Sequence, residues 1–174
     1  MSTRFFTEDD FRIANMKSLL EIQKLINDFM MLPDVIDGSA FKMGSNHPRS
    51  WFEAFSTTGY CVKVSQVFID KMLKNSIWNN AETISIMIDP NKFGKCGDGS
   101  DNAWHTCVDL KDGHVVDLTI AQFGAKYVEH YVWDKVDWLN EFQALNDTHD
   151  VGTIPADQKD RYKLNVFPGP IIET

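Results

Sequence analysis

Apolar side chains recur at helical spacing near the start of the chain and at strand spacing through its middle. Thr7-Glu8-Asp9-Asp10 sets a capping residue before three acids, which marks a helix start. Ile13, Met16, Leu19, Leu20, Gln23, Ile26 and Met30 follow at intervals of three and four, and Pro33 ends the pattern. The spacing predicts one long helix buried along that face, with Met16, Met30 and Met31 as adaptable core filler. Residues 34–50 are punctuated by Asp-Gly-Ser and His-Pro-Arg-Ser and read as a loop. Trp51-Phe52-Glu53-Ala54-Phe55 is compact and aromatic, suited to a short helix beneath the next one. That next helical pattern runs through Val64, Val67, Phe68 and Met72 to about Asn75. Small polar residues and Gly59 precede it, so Cys61 falls in its first turn.

The period then changes. Thr83 to Ile88 alternates polar and apolar and stops at Asp89-Pro90, as a strand does. Ala103 to Leu110 and His114 to Ile120 read as two strands joined by Lys111-Asp112-Gly113, and Tyr127 to Trp133 alternates as a further candidate. Asp134 caps a last helical stretch reaching Leu145. Residues 92–102, rich in glycine and acids, read as a loop bordering the site. The alternating acids and closing glutamate of an EF-hand are missing there. The tail from 146 is polar, and Pro168-Gly169-Pro170 argues against regular structure. The expected fold is α+β, with N-terminal helices packed on an antiparallel sheet. Its 174 residues suit a single domain over 1–174.

The register of the hairpin decides whether chemistry is possible. A two-residue Asp-Gly turn pairs Val108 with Asp117 and puts His105 and Asp117 on opposite faces. A three-residue loop, a type I turn followed by a left-handed Gly113, pairs Cys107 with Asp117 instead. His105 then lies opposite Thr119 and diagonal to Asp117, with Cα atoms about 7–8 Å apart. The second register also gathers Val116, Leu118 and Ile120 on the other, apolar face, and is preferred for that reason. A carboxylate inside an apolar strand needs a partner, and His105 supplies one. Cys61 at a helix start has the unpaired N–H groups and dipole that favour a thiolate. Cys61, His105 and Asp117 are thus the candidate catalytic residues, as nucleophile, base and orienter. Cys107 rivals Cys61 but lacks a helix N-terminus. His114 rivals His105 but falls at the hairpin's end, on the face away from Asp117.

Composition narrows the class. With 43% hydrophobic and 24% charged residues the chain is suited to a packed core rather than disorder. A net charge of −8 with scattered basic residues argues against a nucleic-acid partner. Three cysteines at spacings that suit neither a disulfide framework nor a zinc knuckle are expected to be reduced, in a cytoplasmic setting. The N-terminus is too acidic for a signal peptide, and no stretch is apolar enough to span a membrane.

Gly59-Tyr60-Cys61 on a helix, then Trp104-His105-Thr106-Cys107-Val108, Asp112-Gly113-His114-Val115-Val116-Asp117-Leu118-Thr119 and Gln122-Phe123-Gly124, resembles the papain-like and transglutaminase-like cysteine superfamily. The pattern is most similar to small bacterial and phage deamidase and papain-fold toxin domains, and covers Phe55 to Gly124. Papain-type peptidases carry an oxyanion-binding glutamine just before the cysteine, whereas Phe55 to Tyr60 contain none. The arginine- and glycine-rich approach of arylamine acetyltransferases is missing as well. Asn46 and His47 are alternative donors, although an ordinary surface loop is the simpler reading of that segment. The resemblance implies a cofactor-free enzyme acting on an amide or acyl carbonyl of a protein substrate: a glutamine deamidase, a peptidase or a transglutaminase-like enzyme. Two other classes remain open. One is an inactive binding or inhibitor protein on the same fold, phage-encoded and aimed at a host factor. The other is a metal site built from the same three residues.

Overall fold

In the computed structural model, residues 7–41, 61–88, 103–147 and 166–168 are described. Helix α1 spans Glu8–Met30 and opens as its sequence demands. The Thr7 hydroxyl accepts from the Asp10 N–H, and the Asp10 carboxylate accepts from the Thr7 N–H in return. A short helix, α2 (Pro33–Ile36), starts at the proline that ends the first. Helix α3 spans Cys61–Phe68, so Cys61 is its first residue, and it widens into a π-turn over Ile69–Leu73. Helix α4, Lys135–Asp147, is capped by Asp134, whose carboxylate accepts from the Val136 N–H.

Five strands form one antiparallel sheet: β1 Glu82–Ile88, β2 Ala103–Asp109, β3 His114–Val116, β4 Val132–Asp134 and β5 Val166–Pro168, in the order β4-β3-β2-β1-β5. Both the α+β class and the antiparallel pairing follow the expectation. The hairpin also takes the preferred register, with Val108 opposite Val116 and the Leu110 N–H donating to the His114 carbonyl. Three residues form the loop, and Gly113 has φ +95°. Lys111 at φ +64° is a departure, since a type I turn would keep it in the right-handed region.

Four expectations are corrected. First, β3 stops at Val116 instead of running to Ile120; the chain turns into a 3-10 helix over Ile120–Phe123. The Asp117 N–H donates to the Tyr131 carbonyl, one step beyond the Val116–Val132 pair, so contact on the β4 side continues where pairing with β2 has stopped. Second, Tyr127 to Trp133 is not one strand. Ala125–Tyr127 is a 3-10 turn, Glu129 has φ +65°, and only Val132–Asp134 pairs with β3. Third, the tail contributes β5, paired with β1 at Ile84–Ile86 and ending on a proline, which an edge strand tolerates. Fourth, α1 buries Ile22, Ile26 and Phe29, while Ile13, Met16, Leu20 and Met31 are exposed. Ile26 of the expected stripe is buried as read, but residues 11–17 are exposed all round, so α1 meets the core only through its later turns. Met30 alone of the three methionines packs against the core.

One face of β1 and β2 carries Ile84, Ile86, His105 and Cys107, because Ile84 pairs with Cys107 and Ile86 with His105. Helix α3 packs on that face of β2. Behind it, the Phe68 ring meets Phe29 of α1 edge-on at 5.2 Å, tying the first helix to the core. Cys96, the aromatic run at 51–55 and the candidates Asn46 and His47 lie outside the described residues. Among the described residues, no helix is long and apolar enough to cross a membrane.

Gly113 gives the first test. A Cβ built there meets nothing within 4 Å, so Gly113→Ala carries only the conformational cost of a left-handed alanine. Urea denaturation is expected to show a loss of about 1 kcal/mol with an unchanged slope. An unchanged midpoint contradicts the assignment of strain to this position.

Candidate active site

Three elements bring the three candidate residues together. Helix α3 delivers Cys61 at its first position, where backbone N–H groups lack intrahelical partners. The Ser65 hydroxyl donates to the Cys61 carbonyl at 2.7 Å. Strand β2 delivers His105, and the turn just beyond β3 delivers Asp117. The His105 Nε2–H donates to Asp117 Oδ2 at 2.7 Å, with both side chains 0% exposed. That bond leaves Nδ1 as the ring nitrogen for the thiol, which lies within hydrogen-bonding reach of His105. Cys61 retains 7% exposure, the largest of the three residues.

The early end of β3 has a chemical result. Leu110 and Val108 direct their backbone groups toward β3, and by alternation Thr106 does the same. No β3 residue reaches that far, and the Thr106 N–H donates to the Cys61 sulfur instead. The Thr106 side chain, on the opposite face, shares a 2.7 Å hydrogen bond with Ser85.

Aromatic rings enclose the imidazole. Phe142 stacks on His105 at 5.2 Å, Phe123 meets it edge-on at 4.7 Å, and Trp138 stands at 6.2 Å. The Trp138 indole N–H also donates to Asp117 Oδ2 at 2.8 Å, so one oxygen accepts from both His105 and Trp138. Among the described residues the other oxygen, Oδ1, is buried without a hydrogen-bond partner.

These contacts set the proton affinities. Burial pushes the His105 pKa down, but the charge and hydrogen bond of Asp117, with help from Cys61, outweigh it and raise it to about 10. Burial pushes the Cys61 thiol up. The hydrogen bond and charge of His105 and the Thr106 N–H reverse this and leave it below its usual value, against a smaller opposing effect of Asp117. Burial, with the charges of Asp117 and Asp109, raises the Cys107 pKa well above the thiol range, so it stays a protonated core residue. His114 faces Asp112 in the hairpin loop, with Nδ1 3.3 Å from Oδ1. Neither rival shares the geometry of the three.

Sequence reasoning did not find Trp138, Phe142 or Phe123 as neighbours of the imidazole. Trp138 and Phe142 stand four apart on a helix that the sequence does announce, which marks a shared face but not what it covers. Among the described residues, no group of three or more His, Cys, Asp or Glu side chains is placed to hold a metal ion. No protein-family model matches the chain, and no curated protein or solved structure matches it significantly.

The paired titration of Cys61 and His105 has a measurable consequence. The raised His105 contributes stability that is complete below pH 6.5 and lost as pH rises toward about 10, and the lowered Cys61 contributes stability that is complete above pH 9.0 and lost as pH falls. The two slopes of stability with pH therefore oppose each other between these values. Cys61→Ser removes the compensating thiol. His105, whose pKa Asp117 still raises, then contributes stability that is complete below pH 6.5 and lost as pH rises above it, with no opposing slope from the thiol. Urea midpoints of Cys61→Ser are expected to fall relative to wild type across this window. Adding Asp117→Asn abolishes that fall, since burial alone lowers the His105 pKa. Parallel pH profiles for wild type and Cys61→Ser count against the coupling.

Proposed function

We propose that the chain is a cysteine-nucleophile enzyme acting on an amide or acyl carbonyl of a protein substrate, with a papain-like or transglutaminase-like core. The observation that carries this reading is the contact chain from the Cys61 thiol through His105 to the buried carboxylate of Asp117. A cysteine opening a helix, a histidine on the strand beneath it and an aspartate from the next hairpin have the chain order and geometry of a Cys-His-Asp site.

In this mechanism His105 Nδ1 takes the thiol proton, giving a thiolate and an imidazolium supported by Asp117. The thiolate attacks the carbonyl carbon, and the oxyanion is met by the Cys61 N–H at the helix start. Collapse breaks the bond to the leaving amine, which takes its proton from His105. The thioester is then resolved by water, giving hydrolysis or deamidation, or by a second amine, giving a new amide bond. Asp117 fixes the tautomer that leaves Nδ1 facing sulfur.

Iodoacetamide at roughly pH 6 is expected to label Cys61 ahead of Cys96 and Cys107. His105→Ala, by removing the cation beside the thiolate, slows that labelling by about tenfold or more. Asp117→Asn is expected to cost about 10³- to 10⁴-fold in turnover with the fold retained. The reaction type is read by intact mass after incubation with glutamine- and lysine-containing proteins. A gain of about 1 Da marks deamidation, cross-links mark transglutamination and fragments mark proteolysis. Preferential labelling of Cys96, unaffected by His105→Ala, makes Cys61 a packing residue.

A further inference from the structure

Resting on the cysteine-nucleophile reading, the Cys61 N–H is one oxyanion donor, and such sites gain most from a second preorganised one. The run from Phe55 to Cys61 holds no glutamine or asparagine to supply it. Gln122 reaches the reacting edge of the imidazole from the other side. Its Nε2 lies 3.5 Å from His105 Nδ1, the nitrogen left for the thiol, and donates to the Thr119 hydroxyl at 3.2 Å. The side chain is half-buried, in contrast to the wholly buried His105 and Asp117.

Its position is set by a rigid turn. Ile120 and Ala121 are buried, the Gln122 N–H donates to the Thr119 carbonyl, and the Gly124 N–H to the Ala121 carbonyl. Phe123, next in the chain, presses against the His105 ring. One amide N–H is therefore occupied by Thr119. The other stands at a distance where a hydrogen bond to Nδ1 is weak. With the thiol proton on Nδ1, that nitrogen donates toward sulfur and does not accept from Gln122. The freed N–H is then available to the oxygen that gains charge as sulfur attacks.

We propose that the Gln122 side-chain amide is the second oxyanion donor, a catalytic residue that binds the substrate carbonyl oxygen together with the Cys61 N–H. Being neutral, it takes no part in forming the thiolate–imidazolium pair.

Two reagents separate these roles. p-Nitrophenyl acetate acylates the thiolate through a tetrahedral oxyanion, whereas iodoacetamide alkylates it at a saturated carbon and forms none. In the full chain, Gln122→Met and the isosteric Gln122→Glu are expected to slow acylation of Cys61 roughly 10- to 100-fold. Product is located by intact and peptide mass, with circular dichroism to confirm folding. The pH profile of Cys61 alkylation is expected to stay at wild type in Gln122→Met, whereas Gln122→Glu sets a charge beside Nδ1–H and shifts it. Wild-type acylation in Gln122→Met overturns the proposal. Near-normal acylation in Gln122→Glu overturns it too, because a carboxylate accepts from Nδ1–H but cannot donate. So does a shifted alkylation profile in Gln122→Met, which makes Gln122 a positioning residue for His105. If wild type itself shows neither acylation nor preferential alkylation at Cys61, the nucleophile reading fails and this inference with it.

Discussion

A carboxylate sealed from water between a histidine and a tryptophan is the constraint on which the rest of the site depends. Taking Asp117 out of solvent costs several kcal/mol unless its oxygens are met. The structure meets one oxygen twice, with His105 Nε2 at 2.7 Å and Trp138 Nε1 at 2.8 Å. Each donor comes from a different element, so β2, the end of β3 and α4 must all be in place before the charge is satisfied. The same bond that stabilises the carboxylate turns the imidazole so that Nδ1 faces the cysteine helix. Stability and chemistry are therefore linked through one oxygen atom. Replacing Trp138 with Phe would keep most of the packing while leaving that oxygen with a single donor.

The features legible in the sequence are those with local chemistry. Thr7 and Asp134 announce helix starts because their side chains accept from the next turn, and both do so in the structure. Gly113 announces a positive φ, and with it the register that sets His105 and Asp117 on one face. Cys61 at the first position of α3 follows from the small polar residues before a helical period. These signals suffice to pick out three residues that prove to be in contact.

What was not legible depends on partners distant in the chain. Alternation from Tyr127 to Trp133 imitates a strand, yet its aromatics answer to separate neighbours: the Tyr127 hydroxyl donates to Glu141, and the Trp133 indole to the His130 carbonyl. The length of β3 was misjudged because Leu118 and Ile120 are buried after the strand has ended, and burial alone does not distinguish strand from 3-10 turn. Nor does periodicity say how much of α1 meets the core, since Ile13 and Met16 share the spacing of Ile26 and Met30 and are exposed. The aromatic enclosure of His105 was invisible for the same reason.

The three-residue strand β5 has a consequence larger than its size. It pairs with β1 at Ile84, Ser85 and Ile86, in the middle of a seven-residue strand whose composition favours β-pairing. Those backbone groups would otherwise form an open template for another chain's strand. Residues from near the C-terminus thus shield the sheet against self-association, on the side opposite the hairpin that carries Asp117. A protease cutting ahead of Val166 would leave the contacts among Cys61, His105 and Asp117 untouched and yet turn the molecule adhesive.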